Sequence, residues 1–570
     1  MKSHSLAALL LFLALGRSLA PAAVAPAPAG TPDFGPNVFI FDAATPAADI
    51  QAALAPVSAR MEANQFGSER YAVLFKPGTY DVPIKLGFYM QVCGLGGNPD
   101  DTVIAGRISA SAQWMGRNAT CNFWRAVENL YASHSRGMLF AVSQGTEMRR
   151  VHIAHSLTLA EDGWSSGGFF ADCKIDGPVG SYSQQQWFAR GSRFNRWSNG
   201  VWNQVFVGCQ GAPAENFPAQ AYTVIDRTPI IREKPYLIFE GGRYAVMVPD
   251  LRKETAGPSW ESAASPGQPV SIDQFHIARA DRDTAATLNA ALRAGRHLLF
   301  TPGLYPLSET LLVTRPDTIV LGLGYPTLMP EGGAPAIDIA DVDGVKVGGL
   351  LLDATRRNTR TMVQVGRAGS TVSHADNPIC LYDLFIRIGG AIEGRADCMV
   401  TLDANQVIAE NLWLWRADHG KGAGWNDNRN AHGLVVNGRD VVIYGLFVEH
   451  AQGYQTVWNG ENGRLYFYQS EMPYDVPGQD DWKHGTVNGF ASYKVGDRVT
   501  SHEAWGLGVY CYFNQGLPIW ADCAIEAPVG PGIKLHHLTS IHLNGSGGIR
   551  HVLNDQGTQV QKGTLKATLK

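Results

Sequence analysis

Hydrophobic residues recur along this chain in short runs bounded by turn-forming residues. In the second half they occupy residues 345–352, 379–388, 407–415, 441–448 and 465–468, and they begin every 20 to 35 residues, with Gly, Asn and Asp between them. Runs of this length predict strands, and because few helical stretches separate them the pattern does not indicate βαβ units. Short strands at a roughly constant interval are typical of a parallel β-helix, whose coils stack at about 4.8 Å.

Two short segments occur in the same order in both halves of the chain. The segment Leu-Phe-x-Pro-Gly-x-Tyr occupies residues 74–80 and, 225 residues later, 299–305; the segment Gly-Leu-Gly occupies 94–96 and, 228 residues later, 322–324. A predicted helix precedes each copy, most clearly at 283–294, where apolar positions recur at helical spacing. The duplication predicts two copies of one module, each with a helix that caps the first coil of a solenoid.

We therefore predict an all-β chain of two tandem parallel β-helices that lie side by side, each with an N-terminal capping helix. A β-sandwich or a propeller is the alternative, but blade signatures of a propeller are absent. The predicted boundaries are 34–250 for the first module, 251–270 for a polar linker, 271–554 for the second module and 555–570 for a frayed polar tail. The boundary between the modules is a place where a ligand could sit.

Composition and the first residues indicate the partners and the compartment. Of 570 residues, 17% are charged, and the formal net charge of −4 provides no basic surface, so we expect no nucleic acid partner. Lys2, an apolar run at 6–15 and the small residues that follow predict a secretory signal peptide over residues 1–25, and hence a secreted (extracellular) or periplasmic protein. The run is too short to span a membrane, and we expect no membrane partner.

Eight cysteines fall into pairs that are close in sequence. In a secreted chain such pairs predict disulfide bonds, with buried free thiols as the alternative. The pairs are Cys93 with Cys121, Cys173 with Cys209, Cys380 with Cys398, and Cys511 with Cys523. No pair has the CxxC spacing, so we expect no zinc site.

Two glutamates in the second module are candidates for catalysis. Glu449 and Glu471 each follow a predicted strand, and they lie 22 residues apart, which is about one coil of a β-helix. On adjacent coils they would be separated by about 5 Å, and their mutual repulsion would raise the pKa of one of them. A carboxyl that is protonated near neutral pH is the general acid that a glycosidase needs. Two exposed glutamates at the edge of a coil are the alternative.

Aromatic and polar residues crowd the same turns. Sugar rings stack on aromatic planes, so we assign Tyr454, Trp458, Tyr474 and Trp505 to substrate binding, together with the neighbouring Asp475. Tyr466 and Tyr468 lie in a predicted strand, and we expect them to stack within the solenoid. His502 is as well explained by a structural hydrogen bond as by catalysis.

The first module has a neutral counterpart of this cluster. Gln144 and Ser166 are also 22 residues apart, so the coil spacing places them on neighbouring turns, where they could position a water molecule. Gln186 lies in the same polar concentration, and we assign it to substrate binding. A purely structural polar ladder is the alternative.

Several stretches taken together resemble the bacterial branch of glycoside hydrolase family 55, secreted β-1,3-glucanases. The resemblance covers nearly all of residues 34–554, and it depends on the order and joint presence of the stretches. They are LFKPGTY (74–80), WSSGG (164–168), GVWN (200–203), REKPY (232–236), HGLVVN (432–437), EMPYD (471–475) and HEAWG (502–506).

The resemblance implies two right-handed β-helices with the active site in the cleft between them. It implies an inverting, exo-acting glucan 1,3-β-glucosidase that releases glucose or short products from laminarin-type β-1,3-glucan. It makes Glu471 the general acid, with Glu449 hydrogen-bonded within the site. Gln144 and Ser166 would help to hold the attacking water, although Ser143 and Ser165 are alternative matching positions. We expect a monomer that needs no cofactor and no metal ion.

One tension concerns the stereochemistry. Carboxyls about 5 Å apart are typical of retaining glycosidases, whereas those of inverting enzymes are roughly 6.5–9.5 Å apart. We resolve it by placing the water across the cleft, toward the first module, with Glu449 in a polar relay for its proton. The competing interpretations are a polysaccharide lyase on a β-helix scaffold, for which the second module lacks a dense Asp cluster, and a non-catalytic glycan-binding solenoid.

Overall fold

The computed structural model describes residues 32–262 and 267–570, and nearly all of its regular structure is β-strand. The signal peptide predicted over residues 1–25 lies outside the described residues and stays a prediction. None of the described helices is long and apolar enough to cross a membrane.

The first half of the chain winds into a parallel β-helix whose 17 strands form one sheet. In the first coils, for example, Val38–Phe41 pairs in parallel with Tyr71–Phe75, which pairs in parallel with Met90–Gly94. The strands are Val38–Phe41, Tyr71–Phe75, Gly78–Tyr80, Ile84–Lys85, Met90–Gly94, Thr102–Ile104, Ile108–Ala110, Arg125–Ala132, Met138–Phe140, Glu147–Ile153, Leu157–Thr158, Phe169–Ala171, Lys174–Tyr182, Gln186–Arg190, Arg193–Asn199, Asn203–Val207 and Tyr222–Ile225.

The second half forms another parallel β-helix, with a 13-stranded and a 10-stranded sheet. The larger sheet contains Phe275–Ala278, His297–Phe300, Leu304–Leu307, Ile319–Gly322, Thr327–Pro330, Lys346–Asp353, Cys380–Ile388, Ile408–Arg416, Val442–Glu449, Gly463–Glu471, His502–Cys511, Ile533–His542 and Lys566–Leu569. The smaller sheet contains Leu311–Val313, Ile337–Ile339, Thr359–Val365, Ala396–Leu402, His432–Val436, Thr456–Trp458, Tyr493–Val495, Trp520–Glu526, Gly548–Leu553 and Val560–Gln561. A short hairpin, Lys483–His484 with Val487–Asn488, projects from this solenoid.

Antiparallel strands connect the two solenoids. Thr228–Arg232 pairs with Leu251–Thr255, and Arg243–Val248 pairs with both Tyr236–Glu240 and Gln268–Ser271. The predicted linker, residues 251–270, is therefore partly built into β-structure.

The end of the chain is also paired rather than frayed. Within the tail predicted over residues 555–570, Lys566–Leu569 pairs antiparallel with Ile533–His542, and Val560–Gln561 pairs antiparallel with Gly548–Leu553. The expectation of fraying is wrong because these strands cover the free edge of the last coil, which would otherwise expose unpaired backbone groups.

The duplicated segment has the same structural role in both copies. The hydroxyl of Tyr80 donates to the carbonyl oxygens of Phe41 (3.2 Å) and Lys76 (2.8 Å). The hydroxyl of Tyr305 donates to the equivalent carbonyls of Ala278 and Thr301, both at 2.8 Å. Each tyrosine thereby ties the second strand of its solenoid to the end of the first, which explains why the segment occurs at both starts.

A helix covers the first coil of each solenoid, as predicted. Ala47–Met61 caps the first and Ala285–Arg293 the second, and both bury apolar side chains against the coil. In the second, buried Asn289 donates to the carbonyl of Thr310 (2.8 Å) and accepts from the backbone N–H of Leu312 (2.9 Å), so its amide also satisfies the exposed strand edge.

The predicted disulfide bonds are absent, because all eight cysteines, which lie within the described residues, are free thiols. Cys173 and Cys209 are separated by a whole coil, since Ser192 lies between them in the stack. Two coil spacings amount to about 9.6 Å, beyond the Cα separation of about 7 Å that a disulfide tolerates. Cys380 and Cys398 lie in different sheets, as do Cys511 and Cys523. Residues close in sequence are therefore not close enough in space.

The two solenoids share one apolar seam. Trp413 and Trp415 from the second solenoid pack against Phe123 and Trp124 of the first, with ring centroids 4.6 to 6.2 Å apart. The larger sheet of the second solenoid thus buries its outer face against the first.

Buried ion pairs cross the same seam. Arg149 of the first solenoid forms a bidentate pair with Asp383 of the second, at 2.7 and 2.8 Å, and also pairs with Glu410. Arg190 pairs with Glu410 as well, and Lys234 from the connecting region lies 3.0 Å from Asp383. Since these side chains are almost fully buried, each charge depends on its partners.

Arg149→Met should destabilise the fold strongly, because it leaves Asp383 and Glu410 short of positive charge in the seam. Losing one partner of a buried pair costs about 3–5 kcal/mol. The matched control is Arg367→Met, which removes an exposed ion pair with Asp338 and should cost less than about 1 kcal/mol. Urea unfolding midpoints measure both, and equal shifts for the two variants would contradict this account.

Candidate active site

The register of two neighbouring strands brings Glu449 and Glu471 together. Val442–Glu449 and Gly463–Glu471 pair in parallel, with Glu449 opposite Glu471 at their ends. The adjacency predicted from the 22-residue spacing is therefore confirmed. Both side chains are nearly buried, at 4% and 8% exposure, so they are not exposed edge residues.

One residue in each of seven neighbouring strands of the larger sheet adopts the left-handed backbone conformation, at the same register position in successive coils, and interrupts and bends the strand before the site. These residues, all with positive φ, are Gly349, Asp383, Asn411, Gly445, Phe467, Gly506 and His537. Glu449 and Glu471 each lie four residues beyond their bend. Such kinks re-aim the side chains that follow, and Phe467, with φ 74°, adopts a strained conformation for a bulky residue.

Glu449 is held by donors from both solenoids. Gln144 Nε2 of the first solenoid donates to Glu449 Oε1 (2.8 Å), and the indole N–H of Trp413 donates to Oε2 (2.8 Å). An indole N–H can only donate, so this oxygen of Glu449 must accept.

Glu471 has a partner that can act in either direction. Its carboxyl is hydrogen-bonded to the hydroxyl of Tyr474, and Gln469 Nε2 donates to its other oxygen at 3.3 Å. A phenol can accept as well as donate, so Tyr474 is compatible with a protonated Glu471. His450 packs edge-on against Tyr474, with ring centroids 4.3 Å apart.

Polar groups of the first solenoid face the two glutamates. The hydroxyl of Ser166 donates to Gln144 Oε1 (3.1 Å), and Ser143 Oγ lies 3.0 Å from Ser166 Oγ. The predicted neighbourhood of Gln144 and Ser166 is confirmed, and of the two alternatives Ser143 belongs to the same cluster. Gln186 contacts this cluster through Ser166, because its side-chain amide donates to the carbonyl oxygen of Ser166.

These residues surround a cavity of about 260 Å³ between the two solenoids. Its lining combines apolar rings with carboxylates, amides and hydroxyls. The lining residues are Thr120, Cys121, Phe123, Gln144, Ser166, Gln185, Trp415, Asp418, His419, Glu449, His450, Glu471, Tyr474, Tyr512 and Leu543. A cavity of mixed apolar and polar lining suits a sugar ring, which has apolar faces and hydroxyl edges.

Burial raises the pKa values of both carboxyls. For Glu471, burial outweighs the opposing hydrogen bond from Tyr474 and raises the pKa to about 7, with a further contribution from the charge of Asp418. For Glu449, burial and then repulsion from Glu471 raise the pKa well above its usual range, against the donor Trp413. The pair therefore retains a proton near neutral pH, and the hydrogen-bond partners favour its location on Glu471.

Several predicted substrate-binding residues do not reach the cavity. Tyr474 lines it, and Asp475 forms a bidentate ion pair with buried Arg416, at 2.7 and 2.9 Å, behind it. Trp458, in contrast, is fully buried in the core of the second solenoid, and Tyr454 bonds His484 and Glu526. Their assignment to the cleft is wrong because Trp458 lies in the strand Thr456–Trp458 of the smaller sheet and Tyr454 lies just before that strand, whereas the glutamates lie at the ends of strands of the larger sheet.

Trp505 and His502 are structural residues. Trp505 stacks between Tyr466 and His536, at 4.6 and 5.2 Å, ahead of the bend rather than beyond it, so its placement in the cleft is wrong. His502 is buried and its Nε2 bonds the hydroxyl of Tyr493 (2.8 Å).

The cavity also contains residues that the sequence did not indicate. Asp418 and His419 lie in the turn after Ile408–Arg416, and Tyr512 follows His502–Cys511. Each occupies a coil other than those of the two glutamates, so spacing from Glu449 or Glu471 gave no signal. His450 and Gln185, which directly adjoin the predicted Glu449 and Gln186, could have been found by extending those predictions by one residue.

Two buried glutamates on adjacent coils, opposite a cluster of neutral hydrogen-bonding groups, define a carbohydrate-active enzyme of the β-helix class. A family model described as the LAM55 pectate lyase-like domain matches residues 275–471. An exo-beta-1,3-glucanase of Streptomyces sp. (strain SirexAA-E / ActE) is 47% identical over 548 residues, which cover 95% of this chain and 90% of that protein.

Solved structures agree with the sequence relatives. The structure of sacteLam55A from Streptomyces sp. SirexAA-E is 46% identical, covers 95% of this chain and 99% of its own, and superposes with a TM-score of 0.92. A variant of sacteLam55A in complex with glucose also has 46% identity and a TM-score of 0.92, with coverage of 95% and 98%. The chain belongs to glycoside hydrolase family 55.

Glu471→Gln should stabilise the protein increasingly as pH rises. The folded state keeps a proton on Glu471 up to about pH 7, whereas an unfolded glutamate releases it near pH 4.5. Stability is therefore lost between these values, by an amount on the order of 3 kcal/mol, and a neutral amide escapes this loss. Thermal midpoints of variant and wild type from pH 4 to 8 measure the effect. Glu331→Gln, at an exposed site, is the control, and parallel curves for Glu471→Gln and wild type would contradict the assignment.

Proposed function

We propose that this protein is an exo-acting β-1,3-glucanase that hydrolyses laminarin-type glucan with inversion at the anomeric carbon. The observation that carries the proposal is the buried pair Glu449–Glu471, which lies across the cavity from Gln144 and Ser166. Family membership supports a hydrolase over a lyase or a non-catalytic binding protein. Secretion and a monomeric state stay predictions.

Glu471 is the proposed general acid. A group with a pKa of about 7 is protonated over the acidic and neutral range and still gives up its proton readily. As the bond between the anomeric carbon and the glycosidic oxygen breaks, Glu471 transfers its proton to the leaving oxygen. Because burial disfavours the ionised form of Glu471, the carboxyl gives up its proton only when the leaving glycosidic oxygen, which gains negative charge, lies within hydrogen-bonding distance.

Glu449 is proposed as a proton acceptor, not as a nucleophile. Its oxygens accept hydrogen bonds from Gln144 and Trp413, which fix the carboxylate in the orientation that receives a proton from the first solenoid. Water attacks instead from the face where Ser166 and Gln144 lie. Its proton goes to Ser166 Oγ as the Ser166 hydroxyl proton moves to Gln144 Oε1 and an Nε2 proton of Gln144 moves to Glu449, which leaves Gln144 as its imidic tautomer until the proton shift reverses. Because Glu471 loses a proton as Glu449 gains one, the charge of the buried pair does not change during the reaction.

Glu471→Gln should lower kcat on laminarin by about 10²–10⁴-fold, since general acid catalysis contributes that much, and leave the circular dichroism spectrum unchanged. Glu503→Gln, which changes a partly exposed carboxylate paired with His536 outside the cleft, should keep wild-type activity. Release of reducing sugar is the measurement. A folded Glu471→Gln protein with substantial activity would reject the proposed acid.

A further inference from the structure

Gln469 contacts the Glu449–Glu471 pair from outside the cavity. It precedes Glu471 by two residues in the strand Gly463–Glu471, so both side chains project from the same face of the sheet. Its amide Nε2 donates to Glu471 Oε1 at 3.3 Å. The Gln469 side chain is fully buried and does not belong to the cavity lining, so it does not touch a sugar in the cavity. Any effect of Gln469 on the reaction must therefore pass through the glutamates.

The amide of Gln469 also interacts with Glu449. Burial and then repulsion from Glu471 raise the pKa of Glu449, and hydrogen bonds from Trp413 and Gln469 oppose that rise. Glu449 and Glu471 lie opposite each other on adjacent coils, so one side chain at this edge of the sheet can reach both carboxyls. A primary amide nitrogen carries two hydrogens, which is one for each carboxyl.

Apart from the two glutamates, no described residue hydrogen-bonds the Gln469 side chain. Phe447 lies opposite Gln469 on the preceding coil and Gly508 on the following coil, and neither has a side-chain group that could form a hydrogen bond. Within the described part of the chain, the buried Oε1 of Gln469 accepts no hydrogen bond. Because a buried acceptor without a donor destabilises a fold, stability alone does not explain a glutamine at this position.

We propose that Gln469 is a positioning residue that bridges Glu449 and Glu471 and keeps a single proton on the pair. The inference deepens the proposed function and rests on it. The amide hydrogens of Gln469 favour the ionised form of each carboxyl, so they oppose the state with two protons, in which Glu449 could not accept a proton from the first solenoid. Gln469 is not a catalytic residue, because it touches neither the sugar nor the attacking water.

Other titratable side chains also face the pair. They are Cys121, Asp418, His419, His450, Tyr474 and Tyr512 in the cavity lining and Tyr510 on the coil after Glu471. Although burial opposes both shifts, the hydrogen bond between Asp418 and His419 lowers the pKa of Asp418 to about 2 and raises the pKa of His419 to about 10. Burial lowers the pKa of His450 and raises the pKa values of Tyr474 and Tyr510 well above their usual range. The nearest charges, on Asp418 and His419, therefore stay constant while the pair titrates.

Gln469→Met tests the bridge, because methionine is similar in length and has no hydrogen-bond donor. Activity needs one proton on the pair, so kcat on laminarin should follow a bell-shaped pH profile. Loss of the amide hydrogens disfavours the ionised carboxyls, so both limbs of the profile should move to higher pH, by about one unit. On the acidic side of the wild-type optimum the variant should lose about 10-fold in kcat, and on the alkaline side it should stay active where the wild type does not. KM should stay within about twofold of wild type, since the substrate does not touch Gln469.

Gln455 provides the matched control. It is also a buried glutamine of the second solenoid, but its Nε2 donates to the backbone carbonyl of Glu471 (2.7 Å) and not to the carboxyl. Gln455→Met should lower the thermal midpoint and leave both limbs of the pH profile in place. An active Gln469→Met protein with the wild-type pH profile would overturn the inference. The same shift in Gln455→Met would overturn it too, because any loss of packing near Glu471 would then be sufficient.

Three further outcomes are decisive. A raised KM with unshifted limbs in Gln469→Met would overturn the inference, because Gln469 would then act on substrate binding. If this variant does not fold, Gln469→Asn, whose amide is one methylene too short to reach both carboxyls, should show a smaller shift in the same direction, and an unshifted profile would overturn the inference. Inactivity of the wild-type protein on laminarin at every pH would reject the proposed function and the inference with it, a result distinct from an unshifted profile in an active variant.

Discussion

The fixed apposition of two solenoids is the constraint on which the site depends. Neither solenoid alone has both the carboxyl pair and the neutral groups that face it. Tryptophans of the second solenoid packed on the first, together with buried pairs such as Arg149 with Asp383, hold the walls in one register. Because an unpaired charge in this seam is costly, the ion pairs also disfavour a slipped arrangement.

The chemistry follows from burial of two carboxyls in that seam. Glu471 and Glu449 cannot both be ionised at low cost, so the pair keeps a proton near neutral pH. The cost in stability and the proposed catalytic use have the same physical origin, because burial keeps protonated a carboxyl that would readily ionise in water. The hydrogen bond between Gln144 and Glu449 couples this pair to the opposite wall.

The sequence predicted correctly which residues lie close together on adjacent coils, because that proximity depends on the number of residues in a coil. The 22-residue spacings of Glu449 with Glu471 and of Gln144 with Ser166 placed both pairs correctly, because each coil returns the chain to the same edge. Aromatic residues were misplaced, since Trp458 and Trp505 lie near the glutamates in sequence but on other faces of the coil. The contact between Gln65 and His419 could not be predicted, because these residues are hundreds of positions apart in the chain.

The central claim is that acid and water come from opposite walls, so the reaction inverts the anomeric carbon. Proton NMR of the first product, recorded on laminarin before mutarotation, tests it most directly. The account predicts that the α-anomer of the released sugar appears first and the β-anomer grows in later. A β-anomer at the earliest times would instead mean retention, with Glu449 or another group attacking the sugar, and would contradict the division of roles between the two solenoids.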